Sequence, residues 1–471
     1  MKIMTAFIRL TSLLMIAFIL TIYVSMSSAA DRPSYKLLRF DENWQSFKAT
    51  NTTEYDFFDP VKYIPLGKDN NVWLSMGGQV RYRGEYWQDF NFNPDNDDYF
   101  SLFNAYIHTD LHLGQNIRLF LMAKTALQEG RNLPGGRRII DVDTIALQNA
   151  FIDFIYPFSQ HSSLTLRAGR QQLLFGSRRL VDPPFWTNTR RPLDGVSAIY
   201  KTNAWTVTPF IVRPVIINKY DRNRTDDDTQ FSGISLEGNL DNSISDLDMY
   251  IYRLSKNDVI INGTSGHEER YTVGAHIKGK LSQAAIDFDV ETAYQFGSLG
   301  KQDINAYMVA TEIGYTPEQW SLNPRFFIGL EFASGDNSLG GDVGTFNQLF
   351  PLGHASFGYI DIVGRQNIID LREGFTFKPL KKLTVKLEGH YFWRESNSDA
   401  LYNPGSVVVR SGNSGSSRNI GSEIDLAAKY KYDRHLNILL GYSKFFAGGF
   451  IEQSGFDHSV DFAYMMFEYT F

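Results

Sequence analysis

The sequence predicts an all-β chain, an antiparallel transmembrane β-barrel of about 18 strands, with short periplasmic turns and long extracellular loops. Three observations carry this. Apolar and charged residues alternate with period two along many segments. The links between those segments alternate in length. The chain also opens with an export address and is free of cysteine and rich in aromatics, with 36 Phe, 25 Tyr and 7 Trp.

The address comes first in the chain. Lys2 and Arg9 precede the mostly apolar run Leu10–Val24, and Ser28-Ala29-Ala30 supplies small residues for cleavage before Asp31. This predicts a secretory signal peptide over 1–30. Residues 31–71 then form an N-terminal lead-in on the periplasmic side, and 72–471 the barrel. No stretch after Asp31 offers 18 consecutive apolar residues, so no transmembrane helix is expected. Without cysteine there is neither a disulfide framework nor a thiolate metal site.

Strand periodicity is clearest at the C-terminus. Ala463, Met465, Phe467, Tyr469 and Phe471 share one face, while Met466, Glu468 and Thr470 share the other. The same alternation sets Phe326, Ile328, Leu330 and Phe332 against Arg325 and Glu331. It sets Ile286, Phe288, Val290, Tyr294 and Phe296 against Asp287, Asp289 and Glu291. In a soluble sandwich the charged face would be outside. In a membrane barrel the apolar face meets lipid and the charged face lines a lumen. The links decide between these. Those after even strands are short (GQN, SQHSS, TN, PLKK, YDR), and those after odd strands are mostly long, as in QEGRNLPGGRRIID and GSRRLVDPPFWTNTRRP. A sandwich has no reason to segregate loops by parity. Sixteen to 18 strands leave an aqueous channel, so passage of a hydrophilic solute is the default role.

Alternation places Arg81, Arg83, Arg118, Lys124, Arg167, Arg325, Arg372, Lys386 and Arg394 toward the lumen, with Glu85, Asp153, Glu237, Asp287, Asp289, Glu291, Glu331, Glu388 and Asp425 among the acids. The arginines fall on the first, third and fifth strands and an acidic group on the eleventh, which predicts opposed basic and acidic walls. Selectivity depends on the charges at the constriction, where the field is focused. The stretch RAGRQQLLFGSRRLVDPPFWTNTRRPLDG, from Arg167, concentrates six arginines around Pro183-Pro184 and Trp186. It is expected to fold into the barrel after the fifth strand, with Asp182 and Asp194 holding some of its cations. In Ile369, Leu371, Glu373, Phe375, Phe377 the glutamate breaks the apolar face, which predicts either a rim position or a bulge there.

Other chemistries find little support. There is no G-x-S-x-G elbow, and the nine histidines lack H-E-x-x-H or other paired zinc spacing, so no catalytic residue, metal site or cofactor is expected. The acidic loops Asn93–Asp98 and Asp221–Asp228 lack an EF-hand pattern and read as solvated. An export signal and net charge of −6 argue against nucleic acid. A barrel enzyme would need a Ser/His or Asp/His constellation at the rim, and none has suitable spacing.

Three segments resemble the alginate-export porin family. They are FDENWQSF (from Phe40) with FDPVKYIPLG and WLSMGGQVRYRGEYW; the arginine stretch itself; and FGYIDIVGRQNIIDLREGFTFKPLKKLTVKLEGHYFWRES (from Phe357) with DALYNPG. The resemblance spans the whole chain after the signal. It implies an 18-stranded monomeric outer-membrane porin, in contact with lipid and lipopolysaccharide and with possible periplasmic export partners. Its arginine-rich constriction would select an anionic polyuronate such as alginate. The basic wall would be Arg81, Arg83, Arg167, Arg170, Arg190 and Arg191, supported by Arg325, Arg372 and Arg394, with Asp182, Asp194 and Glu85 as acidic supports. Guanidinium suits carboxylates because its planar fork pairs them bidentately. Ser177, where an acid is expected, and Glu373, where an apolar residue is usual, depart from the pattern. An uptake porin for small organic anions or oligosaccharides is the other reading.

Overall fold

The computed structural model describes residues 32–48, 56–67, 71–240, 243–281 and 284–471; the expected signal peptide lies outside the described residues. Eighteen long strands form the barrel. β1 (Val72–Gln88), β2 (Asp98–Leu113), β3 (Ile117–Glu129), β4 (Asp143–Ser159), β5 (Ser162–Gln171) and β6 (Leu193–Lys201) make the first third. β7 (Trp205–Ile216), β8 (Thr229–Gly238), β9 (Ile244–Ile261), β10 (Thr264–Leu281), β11 (Ile286–Leu299) and β12 (Gln302–Tyr315) make the second. β13 (Arg325–Ala333), β14 (Ile368–Leu380), β15 (Leu383–Trp393), β16 (Asn419–Lys431), β17 (Leu436–Ala447) and β18 (Val460–Thr470) complete it.

Every neighbouring pair is antiparallel, and β1 pairs with both β2 and β18, from Gln79 opposite Thr470 to Gln88 opposite Asp461. That closure leaves no sheet edge, as a bilayer demands, because an unpaired backbone group in hydrocarbon is costly. Among the described residues no helix is long and apolar enough to cross a membrane. The crossing is made by strands.

Period-two side chains sort as the sequence predicts. Ile107, Leu121, Ile313, Ile328 and Leu330 are exposed on the outer face, while Arg81, Asp153, Glu331 and Asp425 are buried inside. Rings flank the apolar band, with Trp320, Phe326 and Phe375 toward the turn end and Tyr307 with Phe332 toward the loop end. Two links after odd strands are short, contrary to the general pattern. β9–β10 and β11–β12 close in tight hairpins at Asn262-Gly263 and Gly300-Lys301. Asn262 and Gly263 both take positive φ, which suits the right-handed twist of the pair. The 18-residue length of β9 and β10 carries that hairpin outward without a loop.

Glu373 is a correction. Pairing of β14 runs without a break from Ile369 to Phe377, so no bulge turns this side chain inward, and it lies mid-strand rather than at an end. It stays on the outer face between Leu371 and Phe375, above Gly389, whose missing side chain leaves it room.

Inside the turn end, the lead-in packs against the barrel. Arg39 donates to the Phe471 carbonyl (3.0 Å), and Phe471 exchanges backbone bonds with Gly78 (2.8 and 2.9 Å). A side chain at Gly78 would collide with the Tyr106 carbonyl and the Phe471 ring. The motif from Phe40 thereby gains a structural meaning. Phe40 packs edge-on against the stacked pair Phe120 and Phe151, and Glu42 accepts from Trp44 Nε1 (3.0 Å).

Candidate functional site

The lumen is largely filled by loops. Residues 172–192 leave β5 and run inward, where they meet the 334–367 loop that follows β13. Val181 and Phe350 form a parallel bridge, Asp182 N–H donates to the Phe350 carbonyl (2.9 Å), and Phe350 N–H to that of Leu180 (2.9 Å). Leu173, Leu180, Val181, Phe346, Phe357, Ile362 and Val363 bury together there. Pro183-Pro184 fixes two φ angles where the chain reverses. Asn188 then anchors the return, its side-chain amide donating to the carbonyls of Asp141 (2.8 Å) and Phe103 (3.0 Å).

Four of the predicted arginines converge on this loop. Arg81 donates from its two terminal nitrogens to the Phe185 and Thr187 carbonyls (2.5 and 2.6 Å). Arg83 donates to the Trp186 carbonyl (2.6 Å), pairs with Glu85 (2.7 Å), and lays its guanidinium 3.7 Å from the Trp186 ring centre. Arg190 donates to Gln79 Oε1 (2.6 Å) and stacks near Tyr106 and Phe185. Arg191 donates to the Asp182 carbonyl (3.1 Å). Among the described residues, Arg81, Arg190 and Arg191 have no carboxylate at ion-pair distance. Two of the loop's charged groups respond to burial. It lifts the Asp182 carboxyl to about 6 despite Arg178 beside it, and lowers Arg191 to about 10.

The other predicted residues lie elsewhere. Arg167 makes a bidentate pair with Asp153 (2.8 and 2.9 Å), beside Arg118 and under Phe40. Arg170 and Asp194 pair bidentately (2.8 and 2.9 Å) but on the outer face, which is a correction to their expected lumenal position. The reason is parity: Arg167 and Gln171 on β5, and Leu193 and Ser197 on β6, point inward, so the even-numbered residues between them, Arg170 and Asp194 included, point out. Arg325 and Arg372 share Glu312 (2.6 and 2.5 Å) across β12–β14. Arg394 donates to the Asn397 and Ser417 carbonyls (2.8 Å each) and stacks on Phe450. The expected separation into two walls is replaced by local compensation, with Asp110, Asp143 and Asp153 set among the cations of β2–β5. Asp153→Ala would leave Arg167 and Arg118 both short of a buried partner. The expected cost is about 3–5 kcal/mol, read as a lower urea midpoint for unfolding of the detergent-solubilised barrel.

Residues outside the predicted basic wall line the open space. A cavity of about 530 Å³ lies between the loop and β6–β11, bounded by Arg178, Lys201 and Lys278 and by Glu237, Asp248, His276 and Asp289. His276 is held by Asp248 (2.6 Å) and Asp289 (3.3 Å), and Arg179 crosses to Asp289 (2.8 Å) and Glu291 (3.1 Å). Ser177 also donates to Glu291, so it adds a hydroxyl to this acidic side.

A closed 18-stranded barrel with an apolar belt and a charged, loop-lined lumen is the architecture of a bacterial outer-membrane porin. The family model described as "Alginate export" matches residues 72–463, and the chain belongs to that family. Solved structures share the fold. Pseudomonas aeruginosa OccK11 (OpdR) superimposes with a TM-score of 0.54 at 10% identity, over 84% of this chain and 95% of that one. P. aeruginosa OpdK with vanillate gives 0.55 at 11%, over 84% and 98%. Acinetobacter baumannii OccAB2 gives 0.55 at 11%, also over 84% and 98%. No protein of curated function matches the sequence.

Proposed function

We propose that the chain is a passive outer-membrane channel for carboxylated solutes, with export of an anionic polyuronate such as alginate as its leading role. The observation that carries this is the trio Arg81, Arg190 and Arg191. Their guanidinium groups are fixed in the lumen by neutral oxygens, so their charge is not cancelled by a partner carboxylate. In a narrow, low-dielectric passage such charges attract anions strongly. No covalent chemistry is required. Family membership supports the polyuronate reading. A second reading, passage of small organic anions, is favoured by OpdK, which was solved with the carboxylate vanillate.

Planar-bilayer recording tests both. The expected result is a channel whose reversal potential favours anions and whose current is reduced by oligouronate. Replacing Arg81, Arg190 and Arg191 together by glutamine should lower the anion preference at least about tenfold. Block by vanillate but not by oligouronate would favour the small-anion reading. A purified, folded barrel that forms no channel would overturn both.

A further inference from the structure

A second group of charges, on the opposite strands, has no role in the passage described above. Glu388 and His390 lie two apart on β15 and so share its inner face. Asp425 and Glu423 sit directly opposite them on β16. All four are within 3% of full burial. His390 presents Nδ1 to both oxygens of Asp370 (3.0 and 3.2 Å), which fixes the ring and aims Nε2 the other way. There Nε2 lies 3.8 Å from Glu388 Oε2 and 3.9 Å from Asp425 Oδ2, too far for hydrogen bonds. Among the described residues it has no hydrogen-bond partner, and neither do Asp425 Oδ2, which faces it, or Glu423 Oε2. Glu388 Oε2, the oxygen on its other side, is held by Lys386. A buried nitrogen left facing unpartnered oxygens is costly unless something occupies the space between.

We propose that His390, Glu388 and Asp425, with Glu423 beside them, bind one divalent transition-metal cation of the zinc class. One potential ligand atom from each of the first three lies within 4.8 Å of the others. Ligands about 2.1 Å from a tetrahedral ion stand roughly 3.4 Å apart, so the two carboxylates need to approach His390 Nε2 by about half an ångström, and each other by at most about 1.4 Å. A carboxylate holding the far nitrogen of a ligating imidazole is the usual outer support of such a site. Charge gives the same answer. Asp370, Glu388, Glu423 and Asp425 bring four carboxylates, against Lys386 on Glu388; Arg372, 3.9 Å from Glu388, is already held by Glu312. At least two negative charges are left over, and a divalent ion offsets two. Imidazole in the set favours zinc, nickel or copper over calcium or magnesium.

The site would also clamp the passage. Ile360 N–H donates to Glu423 Oε1 (2.9 Å) and Tyr359 N–H to Asp425 Oδ1 (3.4 Å), so the 334–367 loop rests on the free oxygens' own carboxylates. A bound cation would fix those carboxylates and with them the loop.

Because the group is sealed, the test loads it during folding. Full-length protein, stripped with chelator in urea, is refolded into detergent with a small excess of Zn²⁺, desalted and analysed for metal. The expected result is about one zinc per chain, with X-ray absorption showing one nitrogen and otherwise oxygen ligands. His390→Ala and Asp425→Asn, each shown to be folded by heat-modifiable gel migration, should retain at least about tenfold less. His354→Ala, outside the group, should retain the full amount. Wild type retaining under about a tenth of an equivalent would overturn the proposal, as would equal retention by the folded His390 variant. A group neutralised only by a proton on His390 gives the first of those results.

Discussion

Replacing Arg81 and Arg83 together by alanine is expected to raise single-channel conductance at least about twofold and to make the open current noisy. Both side chains project from β1 and donate to three consecutive carbonyls, Phe185, Trp186 and Thr187, at the innermost bend of the 172–192 loop. Truncating them leaves those carbonyls buried without donors, at about 1–3 kcal/mol each. It also removes the guanidinium face on which Trp186 stacks. The loop's remaining inner bonds, the Val181–Phe350 bridge and the Asn188 anchor, lie on either side of the released bend. The bend is therefore free to move while the barrel wall, built from separate strand pairs, stays intact. Anion preference should fall in the same variant, because Arg81 is one of the uncancelled charges. Single-channel recording in planar bilayers, with reversal potentials under a salt gradient, reads both effects. Unchanged conductance would mean that the bend does not set the narrowest point.

The barrel was legible in the sequence because its determinants are local. Alternation along each strand and link length after it are both properties of a few consecutive residues, and they placed Arg167 on the fifth strand and Asp289 on the eleventh, where both lie. The site was less legible because it is built from contacts between distant segments. Nothing near Phe40 announces that its ring will cap Phe120 and Phe151, and nothing near Val181 points to Phe350. Arg170 shows a different failure: the family resemblance groups it with Arg167, whereas an odd spacing on a strand puts them on opposite faces. The histidine group was missed for the same reason as the loop contacts. Its E-x-H and E-x-D halves lie on two strands, and only cross-strand register joins them. Glu373 was noticed, and its lipid-facing position is tolerated beside Gly389.

Acidification through pH 6 is expected to strengthen anion preference, and Asp182 is the group responsible. It sits in the lumenal loop beside Arg178 (2.5 Å), with its backbone carbonyl holding Arg191. Burial outweighs those cations and lifts its carboxyl to about 6. Above that pH the carboxylate cancels Arg178, its ion-pair partner; below it the acid is neutral and Arg178 adds its charge to those of Arg81, Arg190 and Arg191. The sign for stability follows from the same shift. A carboxyl whose pKa is higher folded than unfolded holds more protons in the folded state between roughly pH 4 and 6, so its contribution is most favourable below the unfolded value and is lost as pH rises through 6. Asp182→Asn should therefore show at pH 7.5 the stronger anion preference that the native channel reaches only at pH 5, and its reversal potential should be flat across that range. Reversal potentials recorded in a fixed salt gradient at pH 5, 6 and 7.5 decide the matter. If the Asn variant keeps the native pH dependence, the titrating group lies elsewhere in the lumen, and the cavity residues Glu237 and His276 become the next substitutions to make.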